Sequence, residues 1–391
     1  NSWILGDSGG FQIGKGVWEG DWKDPNCPKA HKKRDGVLKW MDEYMDYGMI
    51  LDIPAWVSRS PAGQKATGIT SYQEAVNATR INNDYWMKNR TGACKFLNVL
   101  QGENHSDADD WYSQMKDFCD PKKYTDHFNG WAMGGQNMCD IHLVLKRLVA
   151  LRFDGLLEKG IHDVMHFLGT SKLEWAVLLT DIQRAVRKYH NENFTVTFDC
   201  ASPFLATANG QIYCQLETQD RSKWVYRMVP SIDDKALAND TTPFGSAFVR
   251  EGKHHSFMDS PITAELQAKD ICIYGPGDLN KIGKEGKTSW DSFSYAIMMG
   301  HNVWMHINAV QEANRQYDQG IIPNMLIQEQ FDRVLFRDVV EAIFSTSNKD
   351  EAEAVIEEFS RYWDTIIGTR GNTGKRITNA DTHFNNLFTE E

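Results

Sequence analysis

The sequence has little of what would fix it in a membrane, cross-link it, or draw a polyanion to it in bulk. Along its 391 residues no apolar run reaches the length of about 18 that a membrane-spanning helix needs. No stretch at its start has the make-up of a secretory signal, which predicts a soluble, cytoplasmic protein. Cysteine is scarce, seven residues at positions 27, 94, 119, 139, 200, 214 and 272. An odd number at irregular spacing excludes a disulfide framework and reads as reduced thiols. No Cys-x-Cys or Cys-x-x-Cys occurs, so there is no paired-thiolate seed for a structural zinc site. Positive charge is short as well: 42 Lys and Arg stand against 53 Asp and Glu, a net charge of −11. Bulk electrostatics therefore do not attract nucleic acid, and such a partner has to be met by a local basic patch. Solenoid-length repeats and low-complexity tracts are absent too.

What is present is a rhythm. Short apolar runs at 2–6, 49–53, 96–101, 130–134, 163–168 and 194–199 read as strands. They alternate with helical stretches at about 35–47, 72–90, 106–118, 140–152 and 171–188, the last opening on Ser171-Lys172-Leu173-Glu174, a capping-box pattern. Alternation of this kind predicts a parallel sheet. Polar or glycine residues stand at the strand ends (Asp7, Asp52, Gln101, Gly134-Gly135, Asp199). That distribution favours a (β/α) barrel, whose site occupies the C-terminal rim, over a doubly wound sheet with one switch point. The expected fold is a TIM-type (β/α)8 barrel of which six strands are visible. Residues 1–215 form its catalytic portion. Residues 216–391 form a divergent insertion and a helical C-terminal region packed on it. Runs at 211–216 and 223–229 read as a hairpin or insertion. Helices are expected at 289–300, 302–318, 324–346 and 349–367, with an apolar stripe Ile327, Phe331, Val334, Leu335, Val339 and Phe344, and Ser347 opening the last helix.

Two of the strand ends carry a carboxylate that suits chemistry at a glycosidic carbon, one attacking and the other moving protons: Asp199 and Asp7. Gly9-Gly10, beside Asp7, lets a flat ligand approach the backbone.

The strand ends also resemble a known family. In order they read Asp7-Ser8-Gly9-Gly10-Phe11-Gln12, Leu51-Asp52, Leu100-Gln101-Gly102, Ala132-Met133-Gly134-Gly135, His166-Phe167-Leu168-Gly169 and Phe198-Asp199-Cys200. This series is similar to the tRNA-guanine transglycosylase superfamily over about residues 1–215. In that family the Asp-Ser-Gly-Gly segment lies on the third barrel strand, which implies that the first two strands are missing from this chain or come from elsewhere. The resemblance implies that Asp199 is the nucleophile at C1′ and Asp7 the general acid/base. It places Asp52 on the N1–H and 2-amino edge of a guanine-like ring. Gln101 and the backbone at Gly134 and Gly135 then face O6, Phe11 stacks on the base, and Met165 forms a second apolar wall.

The departures bear on the substrate. The tRNA enzymes follow Phe-Asp-Cys with an arginine-containing loop; here Ala201 to Gly210 contains no arginine. The family's paired-cysteine zinc module is also missing. Met305-His306-Ile307-Asn308 is similar to its histidine segment, but Cys272 is the only cysteine in the zone just before it, and one Cys with one His does not make a structural zinc site, so the zinc is read as lost and no cofactor is expected. Pro54 stands where the family has a cysteine in its base pocket. These losses resemble the DNA-modifying, DpdA-type branch, many of whose members are phage-encoded. The implied activity is exchange of guanine in DNA for a 7-deazaguanine such as preQ0, with a possible homodimer. The alternative is a zinc-free tRNA-guanine transglycosylase; a non-catalytic partner subunit is disfavoured because Asp199, Asp7 and Asp52 are all present, and a glycoside hydrolase barrel because Asp52, Gln101 and the Gly-Gly pair suit a planar heterocycle. The basic clusters are Lys29/Lys32/Lys33/Arg34, Lys122-Lys123, Arg184/Arg187/Lys188, Lys281/Lys284/Lys287 and Arg370/Lys375/Arg376, with Lys281, Lys284 and Lys287 expected as the DNA contact.

Overall fold

The computed structural model describes residues 2–232, 235–250, 256–271, 292–328, 333–366 and 368. Lys281, Lys284, Lys287, Cys272 and the basic residues at 370–376 lie outside the described residues. The chain divides into two compact units, one of Asn1–Thr170, Asp181–Asp199 and Leu335–Glu391, the other of Ser171–Thr180 and Cys200–Val334.

The first unit is built on six strands: β1 Leu5–Gly6, β2 Tyr47–Met49, β3 Lys95–Leu100, β4 Gly130–Met133, β5 Val164–Phe167 and β6 Thr195–Phe198. Every neighbouring pair is parallel, and the spatial order is the chain order, β1 to β6. A sheet that winds one way without reversing has no switch point, which separates it from a doubly wound fold. The result is an α/β unit whose curled, half-barrel sheet is consistent with part of a TIM-like barrel.

The helices that alternate with these strands are α1 Gly10–Gly14, α2 Pro28–Tyr44, α3 Pro61–Thr67, α4 Tyr72–Asn89, α5 His105–Met115, α6 Ile141–Phe153 and α7 Leu173–Tyr189, of which α7 begins in the second unit. Their starts follow local chemistry. Ser71 and Glu74 form a reciprocal capping box on α4, and Asn104 and Asp140 accept backbone N–H groups at the starts of α5 and α6. Strand β3 is buried on both faces: Phe96, Leu97, Val99 and Leu100 are fully buried, and the buried Asn98 donates Nδ2 to the Met115 carbonyl at 2.9 Å.

Several boundaries differ from expectation, each for a local reason. The run expected at 49–53 pairs at Tyr47–Met49, and the ladder ends where Asp52 N–H turns back to the Ile50 carbonyl at 3.1 Å. Helix α2 begins at Pro28, not near 35, because proline at the first helical position needs no N–H partner. Helix α3 was not expected at all. It is short and has no apolar stripe, but Ser60 caps it, Pro61 opens it and Gly68 closes it at φ 70°.

The C-terminal helices Phe336–Ser345 and Lys349–Glu358 belong to this unit. They are tied to it by Lys188 to Glu341 at 2.8 Å, Arg152 to the Phe344 carbonyl at 2.8 Å and His142 to Glu357 at 2.8 Å. The apolar stripe expected from 327 to 344 is not one helix. Val334–Leu335 is extended, and Arg333 at φ 58° is incompatible with a continuous helix; Phe331 lies outside the described residues. Asn348, not Ser347, caps the following helix, accepting from Asp350 and Glu351.

In the second unit, the expected hairpin is present as antiparallel strands Gln211–Glu217 and Val225–Pro230, with an irregularity between Tyr213 and Gln215. Their core includes Ile212, Cys214, Val229, Phe244 and Met298. Ser292–Asp318 is one helix where a break near 301 was expected. His301 and Asn302 are not breakers. His301 bonds the Tyr213 carbonyl at 2.7 Å and Ser260 Oγ at 2.8 Å, while Asn302 Oδ1 accepts from Tyr213 N at 2.9 Å. Among the described residues no helix is long and apolar enough to cross a membrane, and no two of the six described cysteines are joined in a disulfide.

Candidate active site

Parallel strands in sequential order bring successive strand ends to one rim, and the residues singled out in the sequence gather there. Asp7 follows β1, Asp52 follows β2 after its turn, Gln101 follows β3, Gly134 and Gly135 follow β4, and Asp199 follows β6. None of the three aspartates acts as a helix cap. The turns after Asp7 and Asp52 start at Gly9 and Pro54 with no side-chain cap, and Asp199 commits its carboxylate elsewhere.

Asp199 Oδ1 lies 3.2 Å from His166 Nε2 and accepts the Gly169 N–H at 3.2 Å. Its side chain is 65 % exposed. Desolvation pushes its pKa up, but the His166 hydrogen bond and charge, with the Gly169 N–H, outweigh that and leave it below the ordinary carboxylate value. Asp7 goes the other way. Desolvation raises it and the charge of Asp199 adds to the rise, against the lowering effect of the Ser8 and Gly9 N–H groups. Two carboxylates within electrostatic reach are thus pushed apart, Asp199 toward the ionised form and Asp7 toward the protonated one.

Asp52 is buried at 5 % exposure and accepts Gln101 Nε2 at 2.8 Å. Its pKa is raised to about 7, mainly by burial, with Gln101 opposing and Asp7 adding. Its position is fixed from both sides of its peptide. Asn82 Nδ2 donates to the Leu51 carbonyl at 2.7 Å and is itself held by Arg34 Nε at 2.6 Å, while Thr79 Oγ1 accepts the Ile53 N–H at 2.9 Å. Gly10 packs so closely that a Cβ there would lie 2.5 Å from the Asp52 carbonyl oxygen.

The turn after β4 closes against Gln101. A Cβ on Gly134 would come within 2.7 Å of Gln101 Nε2, and one on Gly135, at φ 55°, within 2.4 Å of the Gly102 carbonyl. Buried Asn137 ties the two strand ends together, donating Nδ2 to the carbonyls of Leu100 at 3.2 Å, Gln101 at 3.2 Å and Gly134 at 3.1 Å. Phe11 is exposed, with Trp56 at 6.1 Å between ring centroids and Lys15 Nζ 5.4 Å over its ring.

Met165 is not brought to this cluster. It is fully buried in β5, and strand alternation puts it on the sheet face opposite His166, which is the residue that meets Asp199. His166 had no assigned role in the sequence. Its ring is held between Asp199 and Thr197 Oγ1, 2.9 Å from Nδ1. Position 166, two residues from Asp199's neighbour strand register, could have been found by pairing β5 with β6, where His166 stands opposite Thr197.

In the second unit, His306 lies 3.5 Å from Cys200 Sγ and stacks on Tyr226 at 4.8 Å. Among the described residues no three His, Cys, Asp or Glu side chains are gathered as a metal ion requires. Compared with models of protein families and with curated proteins, the chain gives no match.

Proposed function

We propose that the chain is a DNA-guanine transglycosylase that exchanges guanine in DNA for a 7-deazaguanine base through a glycosyl-aspartate intermediate. The observation that carries this reading is the pair of opposed carboxylates, Asp199 open to solvent and held ionised, Asp7 shifted toward its protonated form. Asp199 attacks C1′ as the bond to guanine breaks, and Asp7 gives its proton to the departing base. The second half reverses the roles: Asp7 takes the proton of the incoming base, which displaces Asp199 from C1′. His166 keeps one Asp199 oxygen in a hydrogen bond and leaves the other to attack. Asp52 accepts from the N1–H and 2-amino edge, Gln101 and the Gly134-Gly135 backbone meet O6, and Phe11 stacks on the ring.

The same reading proposes a complete eight-stranded barrel, with two further strands beside the sheet, and it expects no resident metal or cofactor. The deciding experiment is incubation with labelled guanine or preQ0 and either duplex DNA or tRNA. Label entering DNA supports the proposal. Label entering tRNA alone would make the chain a zinc-free tRNA enzyme, and label in neither would remove the transglycosylase reading.

A further inference from the structure

The four-residue basic cluster at 29–34 is split by the fold. Lys29 pairs with Glu19 at 2.7 Å, and Arg34 is buried, bonded to Asn82. In two other clusters one lysine is committed: Lys123 to Asp117 at 2.6 Å and Lys188 to Glu341 at 2.8 Å. Lys32 and Lys33 are different. Both are exposed, neither has a carboxylate partner among the described residues, and both line a pocket of about 640 Å³ whose wall also includes Asp7.

Lys32, Lys33, Gly36, Val37 and Trp40 share one face of α2, as their spacing requires. Trp18 lies against Gly9, 2.5 Å from where a Cβ would sit, and Lys33 Nζ stands 5.1 Å over the Trp18 ring. Trp40 is 46 % exposed. Ser8 lines the same pocket, only 2 % exposed, and its buried Oγ has no hydrogen-bond partner among the described residues. A hydroxyl without a partner at the wall, two ammonium groups without a carboxylate partner and two indoles describe a site for a ligand with both an anionic group and a flat ring. Because Asp7 forms part of the wall, a ligand held here lies beside whatever is bound at Asp7.

We propose that this pocket holds the nucleotide next to the one undergoing exchange, with Lys32 and Lys33 on its phosphodiester and Trp18 and Trp40 offering stacking surfaces to its base. The inference rests on the exchange reading for the identity of the strand. It assigns a polymer contact different from Lys281, Lys284 and Lys287.

The test uses the full chain and a DNA trinucleotide with a central guanosine, with free guanine and the matching RNA trinucleotide as further arms. Tryptophan fluorescence reports binding. Two variants are compared with the native chain: Lys32→Ala combined with Lys33→Ala, and Gly36→Phe. The second fills the pocket at a position where a Cβ meets nothing within 4 Å. Trinucleotide affinity is expected to fall tenfold or more in both, and the salt slope of the lysine variant to flatten by roughly 0.7 per lysine removed. Free guanine, which has no phosphate, should bind within twofold of native. Equal trinucleotide affinity in native and variant chains overturns the pocket assignment, even when native exchange is observed. Loss of trinucleotide binding in the variants without any exchange by the native chain leaves the pocket standing and removes the exchange reading. A comparable loss for the RNA arm assigns the pocket to the phosphodiester irrespective of the sugar.

Discussion

His166 Nε2 stands 3.2 Å from Asp199 Oδ1 while its Nδ1 stands 2.9 Å from Thr197 Oγ1, so one imidazole links a β6 side chain to the carboxylate two residues further on. With both ring nitrogens engaged, the ring has no freedom to rotate away, and Asp199 is held by an element other than its own strand. His166→Leu removes this hold. Carbodiimide labelling of Asp199, followed by mass spectrometry across pH, should show its midpoint moving up in His166→Leu. The exchange rate should fall by ~10–100-fold with the KM for the base unchanged. His166→Gln, which keeps a donor, should recover part of both. An unmoved labelling midpoint would mean that the histidine only fills space.

The two carboxylates proposed to act in exchange, Asp199 and Asp7, should separate by experiment. Asp199→Ala should abolish exchange and the covalent DNA adduct seen on a denaturing gel, while base binding stays measurable. Asp7→Ala should spare the nucleophile but lose the proton donor. In the proposed mechanism, adduct formation needs Asp7 protonated and Asp199 ionised. Its rate should therefore fall as pH rises through the raised Asp7 value, a limb absent from Asp7→Ala. An adduct that persists in Asp199→Ala sinks the nucleophile assignment.

Asp52 makes a pH prediction in two senses. Its folded pKa of about 7 lies above the ordinary 3.8, so the folded state holds a proton that the unfolded state releases. Its contribution to stability is complete below 3.8 and is lost as pH rises toward 7. Asp52→Asn should thus raise the thermal midpoint at pH 8 and change it little at pH 3. Recognition runs the other way, because a guanine edge needs the carboxylate as acceptor. Base affinity should improve as pH rises through 7, and Asp52→Asn should weaken it by about 1–3 kcal/mol at pH 8. Calorimetry showing native base affinity in the variant would reduce Asp52 to a structural role.

Asn137 bonds three carbonyls with one amide, those of Leu100, Gln101 and Gly134. Leu100 and Gly134 keep the backbone N–H groups of Gly134 and Asn137, so Asn137→Ala leaves the Gln101 carbonyl without its donor and should cost about 1–3 kcal/mol in urea denaturation. Because the lost bonds span the ends of β3 and β4, base affinity should fall with stability. Stability lost with base affinity intact would show that the clamp serves the fold alone.

Much of the rim was legible from residues alone. The run Phe96–Gln101 is apolar, short and bounded by polar residues, so β3 was expected within one position of where it lies. Asp7, Asp52, Gln101, the Gly134-Gly135 pair and Asp199 could be placed at strand ends because each closes a short apolar run, as strands buried on both faces require. The sequence by itself determined where the six apolar runs lie and which residues stand at their ends, both consequences of local patterning; the spatial order of the strands belongs to the tertiary structure. Tertiary structure alone decided which face each residue takes and what it meets. It turned Met165 away and His166 toward Asp199, since a one-residue change in a strand reverses the side. It buried Arg34 on Asn82 while leaving Lys32 and Lys33 on a pocket wall, a distinction that four neighbouring basic residues cannot show in one dimension. The protonation states follow from the same cause, because desolvation and neighbouring charge come from residues far apart in the chain.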